Sequence, residues 1–364
     1  MIEDAKKERI AIEVIKTLFS RFENFPEDAS NNRNAPFHEA FLRAFSDKLG
    51  NRVSDIPFFI SLSSWLHGLN TTLGQSFFES VAHILSDGYK KNFTVRGNSL
   101  LKVTQIQKRA ISNIITELKN NTESPDLNRE CNLIFNVSTL PDLEANSFTV
   151  DVYLESSTKI IAIELKSVRP NSGEMGGEKQ KILQAKAALY NEFPGKEINF
   201  YIGFPFDPTS NNPTGHDKVR FLDYLVDGSK YFALDEVLLA NELWDFLSGD
   251  ANTMEQILEI INAIATTEYI NKYNYLNETS NSMNDTENYK KLLQKWSIFT
   301  EMDLLENNSI ILQEIRVNLK AERIFKQPIF KNGEYNQNRY NFLKSLNEEK
   351  DRSSYGIQSY RSGY

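Results

Sequence analysis

The chain has 364 residues, 40% apolar and 25% charged, with a net charge of −8. At this length about three quarters of the unfolded surface can be buried, and the composition excludes a disordered or collagen-like chain. No apolar run approaches the roughly 18 residues of a spanning helix, so no membrane partner is expected, and the excess of acid argues against a nonspecific polyanion binder.

The start, Met1 to Arg9, is charged and lacks the apolar segment of a secretory signal. The single cysteine, Cys131, allows no internal disulfide. Both points favour the cytoplasm. Ile10, Ile12, Val14, Ile15, Leu18 and Phe19 recur at helical spacing. A polar stretch from Pro26 to Asn34 interrupts the pattern, and a second helix is expected after Pro36. Further helices are expected over 76–86, between Gly74 and Gly88, and over 101–118. Lys90 to Asn120 carries Lys90, Lys91, Arg96, Lys102, Lys108, Arg109 and Lys119 against one acid, Glu117. A basic surface on an acidic protein is one reading of this block, and a solvated helix face is the other.

Near residue 131 the pattern changes. Residues 133–137, 148–154, 160–168 and 198–204 read as strands rich in β-branched and aromatic side chains. Residues 155–158 read as a hairpin turn, 169–177 as a polar loop, and 178–190 as a helix. The order β-β-β-α-β predicts an α/β fold with a mixed sheet and helices packed on it. Beyond 235 helices are expected at 237–247, 254–264 and 289–298, with a loosely held stretch after Pro328. The expected organisation is a helical region over 1–130, a core over 131–235 and a helical region over 236–364, together one compact unit.

Chemistry concentrates on the hairpin 150–168. Side chains two apart share a strand face. Glu164 and Lys166 therefore face one side with Ala162, while Ile161, Ile163 and Leu165 face the other. With the turn centred between Ser156 and Ser157, Asp151 lies opposite Ala162, on the face of Glu164. Diagonal neighbours of that kind stand roughly 7–8 Å apart, and a half-residue shift of the turn would send Asp151 to the far face. Two carboxylates and a lysine suit metal-assisted phosphodiester hydrolysis, because Mg²⁺ prefers oxygen ligands and acidifies its bound water. Lys166 would orient the attacking water or offset phosphate charge. The acid-x-Lys pattern also occurs at Asp4/Lys6, Glu117/Lys119 and Glu348/Lys350. Only Glu164/Lys166 lies on an expected strand beside another acid. The competing reading is an exposed, charge-paired sheet face.

Asp151 followed thirteen residues on by Glu164-Leu165-Lys166 resembles the PD-(D/E)xK motif of restriction-endonuclease-like nucleases, with Val150 where the usual proline would stand. Residues 65–79 (WLHGLNTTLGQSFFE), 163–181 (IELKSVRPNSGEMGGEKQK), 203–209 (GFPFDPT) and 243–249 (LWDFLSG) resemble the TdeIII family of type II restriction endonucleases. That resemblance implies a restriction-endonuclease-like fold with helical N- and C-terminal additions. It implies Mg²⁺-dependent cutting of double-stranded DNA at a short palindrome, GGNCC, and a partner DNA methyltransferase. A palindromic target implies a homodimer.

Catalytic roles are thus expected for Asp151, Glu164 and Lys166, with metal on Asp151 and Glu164. Glu79, in an otherwise apolar helix, is expected to join them or to be an ordinary surface glutamate. DNA contacts are expected from Arg169, Asn171 and Ser172 beyond the strand, and the candidate guanine readers are Lys218 and Arg220 or the Lys90 to Lys119 block, with nothing in the sequence to select among them. Lys179, Lys181 and Lys186 read equally as phosphate contacts or a solvated face, and Gln180 and Gln184 as a face near the site. No His-Glu-x-x-His, Gly-x-Ser-x-Gly or phosphate-loop ending occurs. Two other readings stay open: a structure-specific repair or junction nuclease of the same fold, and a non-catalytic DNA-binding protein.

Overall fold

A computed structural model describes residues 1–27, 42, 56–94, 100–135, 140–166 and 172–346. The second helix expected after Pro36, together with Arg169 and Asn171, lies outside these residues. The chain divides into two compact units, one of Met1–Ile2 with Leu73–Gln256 and one of Glu3–Thr72 with Ile257–Tyr364. These boundaries differ from the expected 131 and 235.

The first unit carries the sheet. In chain order the described elements are α1 (Asp4–Glu23) and α2 (Ile56–Thr72) of the second unit, then α3 (Phe78–Ser86) and β1 (Tyr89–Phe93). There follow β2 (Lys102–Val103), α4 (Gln105–Lys119), α5 (Leu127–Phe135), β3 (Leu143–Glu144), β4 (Phe148–Glu155) and β5 (Lys159–Leu165). Then come α6 (Ser172–Glu192), β6 (Glu197–Phe204), α7 (Lys218–Tyr224), α8 (Gly228–Tyr231), β7 (Val237–Leu239) and α9 (Asn241–Ser248). The five-stranded sheet runs β1-β4-β5-β6-β7. Its β1, β4 and β5 are antiparallel neighbours, whereas β5, β6 and β7 are parallel. This is the mixed sheet with flanking helices that the element order implies.

Both faces of the sheet are covered. Ile160, Ala162 and Ile163 are all fully buried, so alternation on β5 does not separate core from solvent. Gly203 lies against Ile163, Leu165 and Leu243 of α9, where a Cβ would sit 3.0–3.1 Å from their side chains. The absent side chain lets α9 seat on this face. On the opposite face α6 contributes fully buried Leu183, Ala187 and Ala188.

Several expectations shift. The run 133–135 is the end of α5, not a strand; Asp126 Oδ1 accepts the Arg129 N–H at its start. The Phe135 ring stacks on Tyr190 at 4.5 Å. A short apolar run fits either period, and packing decides it. The expected loop 169–177 is helical from Ser172 onward. Gly176 there lies 3.0 Å, measured from an added Cβ, from the Tyr231 ring, so close approach explains the glycine better than a turn. The expected helix 237–247 is strand β7 followed by α9.

Lys179 and Lys186 on α6 are buried beside Glu130 of α5 and Glu236. Lys179 Nζ lies 2.5 Å from Glu130 Oε2 and 2.6 Å from Glu236 Oε2, and Lys186 Nζ lies 3.5 Å from Glu236 Oε1. Burial pushes the Glu130 carboxyl up, against the pull of Lys179. Burial also acts on Glu236, but Lys179 and Lys186 outweigh it and hold that carboxyl below its ordinary range.

The second unit is helical, with a short hairpin. Tyr269 of helix Tyr269–Asn277 and Trp296 are fully buried and stack at 5.8 Å. Tyr269 donates its hydroxyl to the Ile15 carbonyl of α1. The stretch after Pro328 is packed rather than loose: Phe330 and Leu343 are buried, and buried Arg339 donates to both oxygens of Glu301 at 2.7 and 2.8 Å. Residues 347–364 lie outside the described part. Among the described residues, no helix is long and apolar enough to cross a membrane.

Candidate active site

The β4–β5 register pairs Tyr153 with Ala162 and Val152 with Ile163. One step further puts Asp151 opposite Glu164. The turn centre is one residue later than expected, which moves Asp151's partner by two positions and preserves its face. The ladder yields at this point. Asp151 Oδ2, instead of a backbone carbonyl, accepts the Leu165 N–H at 2.9 Å. The Asp151 carbonyl is itself held by His83 Nε2 of α3 at 2.6 Å. A carbonyl only accepts, so Nε2 carries the proton. The paired register stops at Val152 and Ile163, and the carboxylate is fixed between the strands by the Leu165 N–H.

Glu164 is 6% exposed. Its Oε1 lies 2.8 Å from Lys181 Nζ and 3.4 Å from Lys166 Nζ, whereas Oε2 is buried without a hydrogen-bond partner. Burial raises its pKa, the Asp151 charge adds to this, and Lys181 opposes both. Lys166 follows β5 and meets Glu178 Oε1 of α6 at 2.7 Å, with Glu174 Oε1 at 3.7 Å. Burial alone would depress the Lys166 ammonium. The hydrogen bond and charge of Glu178, with Glu164 and Glu174, outweigh it and hold the pKa above the ordinary lysine value.

Lys181 also lies 3.6 Å from Glu178 Oε2. Glu164, Lys181, Glu178 and Lys166 thus close a ring of alternating charge. The sequence conceals Glu178, because it lies beside a run of lysines on what reads as a solvated helix.

Glu79 of α3 reaches Asp151 through a lysine. Lys90 Nζ on β1 lies 2.8 Å from Glu79 Oε2 and 3.5 Å from Asp151 Oδ1. Burial lowers the Lys90 pKa, but the two carboxylates outweigh it and raise the value overall. Strand β1 is not among the expected strands because Tyr-Lys-Lys-Asn-Phe lacks β-branched residues. Lysine is nevertheless common on edge strands.

The other expected DNA contacts separate. Lys179 and Lys186 are buried in the ion-pair cluster and present nothing to a phosphate, nor do they form a solvated face. Ser172 is on α6, and Gln180 is exposed while Gln184 is half-buried. Lys218 Nζ is engaged by Glu242 Oε1 at 2.7 Å and the Leu234 carbonyl at 3.1 Å. Arg220 is half-exposed and donates from Nε to Thr209 Oγ1 at 2.8 Å. Asp207 fixes this loop, accepting the Thr209 N–H and hydroxyl and the Asp217 N–H. Because β5 and β6 are parallel, this loop leaves the sheet at the end that carries Lys166. Cys131 is half-buried, and burial pushes its thiol up, so it is a poor nucleophile.

Among the described residues no three His, Cys, Asp or Glu converge on one point. Mg²⁺ does not need such a cage, since one or two carboxylates with water and phosphate suffice. The orphaned Oε2 of Glu164, opposite Asp151, is a donor set that fits this hard cation.

Residues 2–265 match the type II restriction endonuclease family HinfI. The chain belongs to this family. It is also 41% identical over 354 residues to the type II restriction enzyme MjaII of Methanocaldococcus jannaschii, covering 91% of this chain and 94% of that protein. The HinfI-family chain is therefore a site-specific deoxyribonuclease acting on double-stranded DNA. The HinfI match spans Asp151, Glu164 and Lys166 together with the whole sheet. It shows the restriction-endonuclease class expected from the sequence, through HinfI; the narrower TdeIII resemblance belongs to the question of which sequence is cut.

Proposed function

We propose that this restriction endonuclease hydrolyses DNA at a centre made by Asp151, Glu164 and Lys166, with Mg²⁺ as cofactor. The observation that carries the reading is the facing pair Asp151 and Glu164, one oxygen of which is buried and unpaired. Asp151 and Glu164 would hold the cation. Bound there, Mg²⁺ supplies a Lewis acid for the scissile phosphate and lowers the pKa of water. Lys166, kept as an ammonium by Glu178, offsets charge on the phosphate and orients the attacking water rather than taking its proton. His83 holds the strand that carries Asp151. Glu79 acts on Asp151 through Lys90 and is a positioning residue. Lys181, Arg220 and the Arg169–Ser172 segment contact DNA.

The TdeIII resemblance supports GGNCC as the target. A palindrome read by one chain in each orientation supports a homodimer, and host protection calls for a cognate methyltransferase. The test is incubation of unmethylated plasmid DNA with Mg²⁺ or with EDTA, followed by sequencing of the ends. Discrete Mg²⁺-dependent fragments ending in GGNCC are expected. Ends at another palindrome would refute the specificity alone, and equal cutting in EDTA would refute the metal.

A further inference from the structure

Each of the two facing carboxylates carries a lysine that is not Lys166. Lys181 Nζ lies 2.8 Å from Glu164 Oε1, and Lys90 Nζ lies 3.5 Å from Asp151 Oδ1. The two lysines come from opposite elements, α6 and β1, yet both keep contact with solvent, with side chains 29% and 44% exposed. Lys166 is different: it is 19% exposed and surrounded by Glu164, Glu174 and Glu178.

We infer that Lys181 and Lys90 are internal counter-ions of the cleavage carboxylates, which a divalent cation displaces, Lys181 onto a DNA phosphate and Lys90 wholly onto Glu79. The inference rests on the metal reading above. A lysine ammonium and a divalent cation compete for the same carboxylate oxygens and repel one another at that range. Lys166 cannot yield, because Glu178 and Glu174 retain it when Glu164 turns to a metal. Lys181 and Lys90 are partly exposed on flexible four-carbon stems, so they can turn outward. Lys90 leaving Asp151 keeps Glu79 at 2.8 Å, whereas Lys181 leaving Glu164 keeps only Glu178 at 3.6 Å and needs a nearer anion, which the DNA backbone supplies. Metal binding and DNA binding are then coupled through the lysines, and the coupling is reciprocal. Without DNA the lysines hold metal affinity down; without metal Glu164 holds Lys181 away from phosphate.

The experiment measures Mn²⁺ binding to the full chain without DNA, by the electron paramagnetic resonance of free Mn²⁺. Wild type, Lys181→Met, Lys90→Met and Glu164→Gln are compared, with circular dichroism to check folding. Lys181→Met should bind Mn²⁺ about tenfold more tightly than wild type, the value of one charge-assisted hydrogen bond, and Lys90→Met more tightly by a smaller factor, its ammonium lying 3.5 Å from Asp151. Glu164→Gln should bind far more weakly. A second readout is the salt dependence of DNA binding. The slope should steepen from EDTA to Ca²⁺ by about one phosphate contact less in Lys181→Met than in wild type. Unchanged or weaker Mn²⁺ binding in folded Lys181→Met, with wild type still binding, would overturn the lysine displacement and leave the metal site intact. Failure of wild type and both lysine variants to bind through millimolar Mn²⁺ would overturn the metal site and the displacement with it.

Discussion

Lys179 offers the sharpest test of how α6 is read. Lys179→Ala would leave Glu130 and Glu236, both at most 1% exposed, with only Lys186 at 3.5 Å from one of them. Breaking a buried ion pair by removing one partner costs about 3–5 kcal/mol, because the remaining charge stays desolvated. With a urea slope near ~3 kcal/mol/M, the midpoint of the first unit should fall by about 1–2 M. Hydrogen exchange of Ser172–Glu192 measures it, with helix Thr286–Lys295 of the second unit as internal reference. Lys179→Met restores the stem but not the charge and should recover only the packing part. The quadruple variant Glu130→Gln, Lys179→Met, Lys186→Met, Glu236→Gln should cost less than Lys179→Ala alone, because the burden is the uncompensated charge. An unchanged midpoint, with DNA affinity lost and a salt slope lower by about one, would refute the reasoning and return Lys179 to the phosphates.

Glu164→Ala and Lys166→Ala should each lower cleavage by at least ~10²–10⁴-fold while retaining the native circular dichroism spectrum; unfolding in either would mean the sheet face is misread. His83→Ala should slow single-turnover cleavage about fivefold through loss of a ~1 kcal/mol hydrogen bond, with DNA affinity unchanged by gel shift. Asp207→Ala should free the 205–217 loop and raise its exchange rate, because one carboxylate holds the Thr209 and Asp217 amides. Glu8 concerns pH: burial raises its carboxyl, against two hydrogen bonds from Thr300. A raised folded pKa means the folded state holds the proton more tightly, so stability falls as pH rises through that value. Glu8→Gln should therefore stabilise the protein at pH 7 in a thermal melt, and the advantage should vanish at pH 4.

Much of the candidate site was legible because β4 and β5 each carry an acid inside an otherwise apolar run. Val150, Val152, Ile161 and Ile163 leave Asp151 and Glu164 as charges inside apolar runs, and face parity survives a turn misplaced by one residue. What stayed hidden depends on distance. The partners of Lys179 are 49 and 57 positions away, so nothing near it in the chain distinguishes a buried lysine from a solvated one. Glycines 173, 176 and 177 suggested a loop, but Gly176 is a packing contact against Tyr231. The run 133–137 is too short to show a period, and Val237–Leu247 joins a strand to a helix with no glycine or proline to mark the break.

The buried cluster of Glu130, Lys179, Lys186 and Glu236 is formally neutral, two acids against two bases. Any single charge-changing replacement there breaks that balance in the interior, whereas an apolar replacement of the whole group keeps it. Substitution during divergence should therefore be concerted. Homologous chains should carry either all four charges or none, so the four columns should covary although they span more than a hundred positions of sequence.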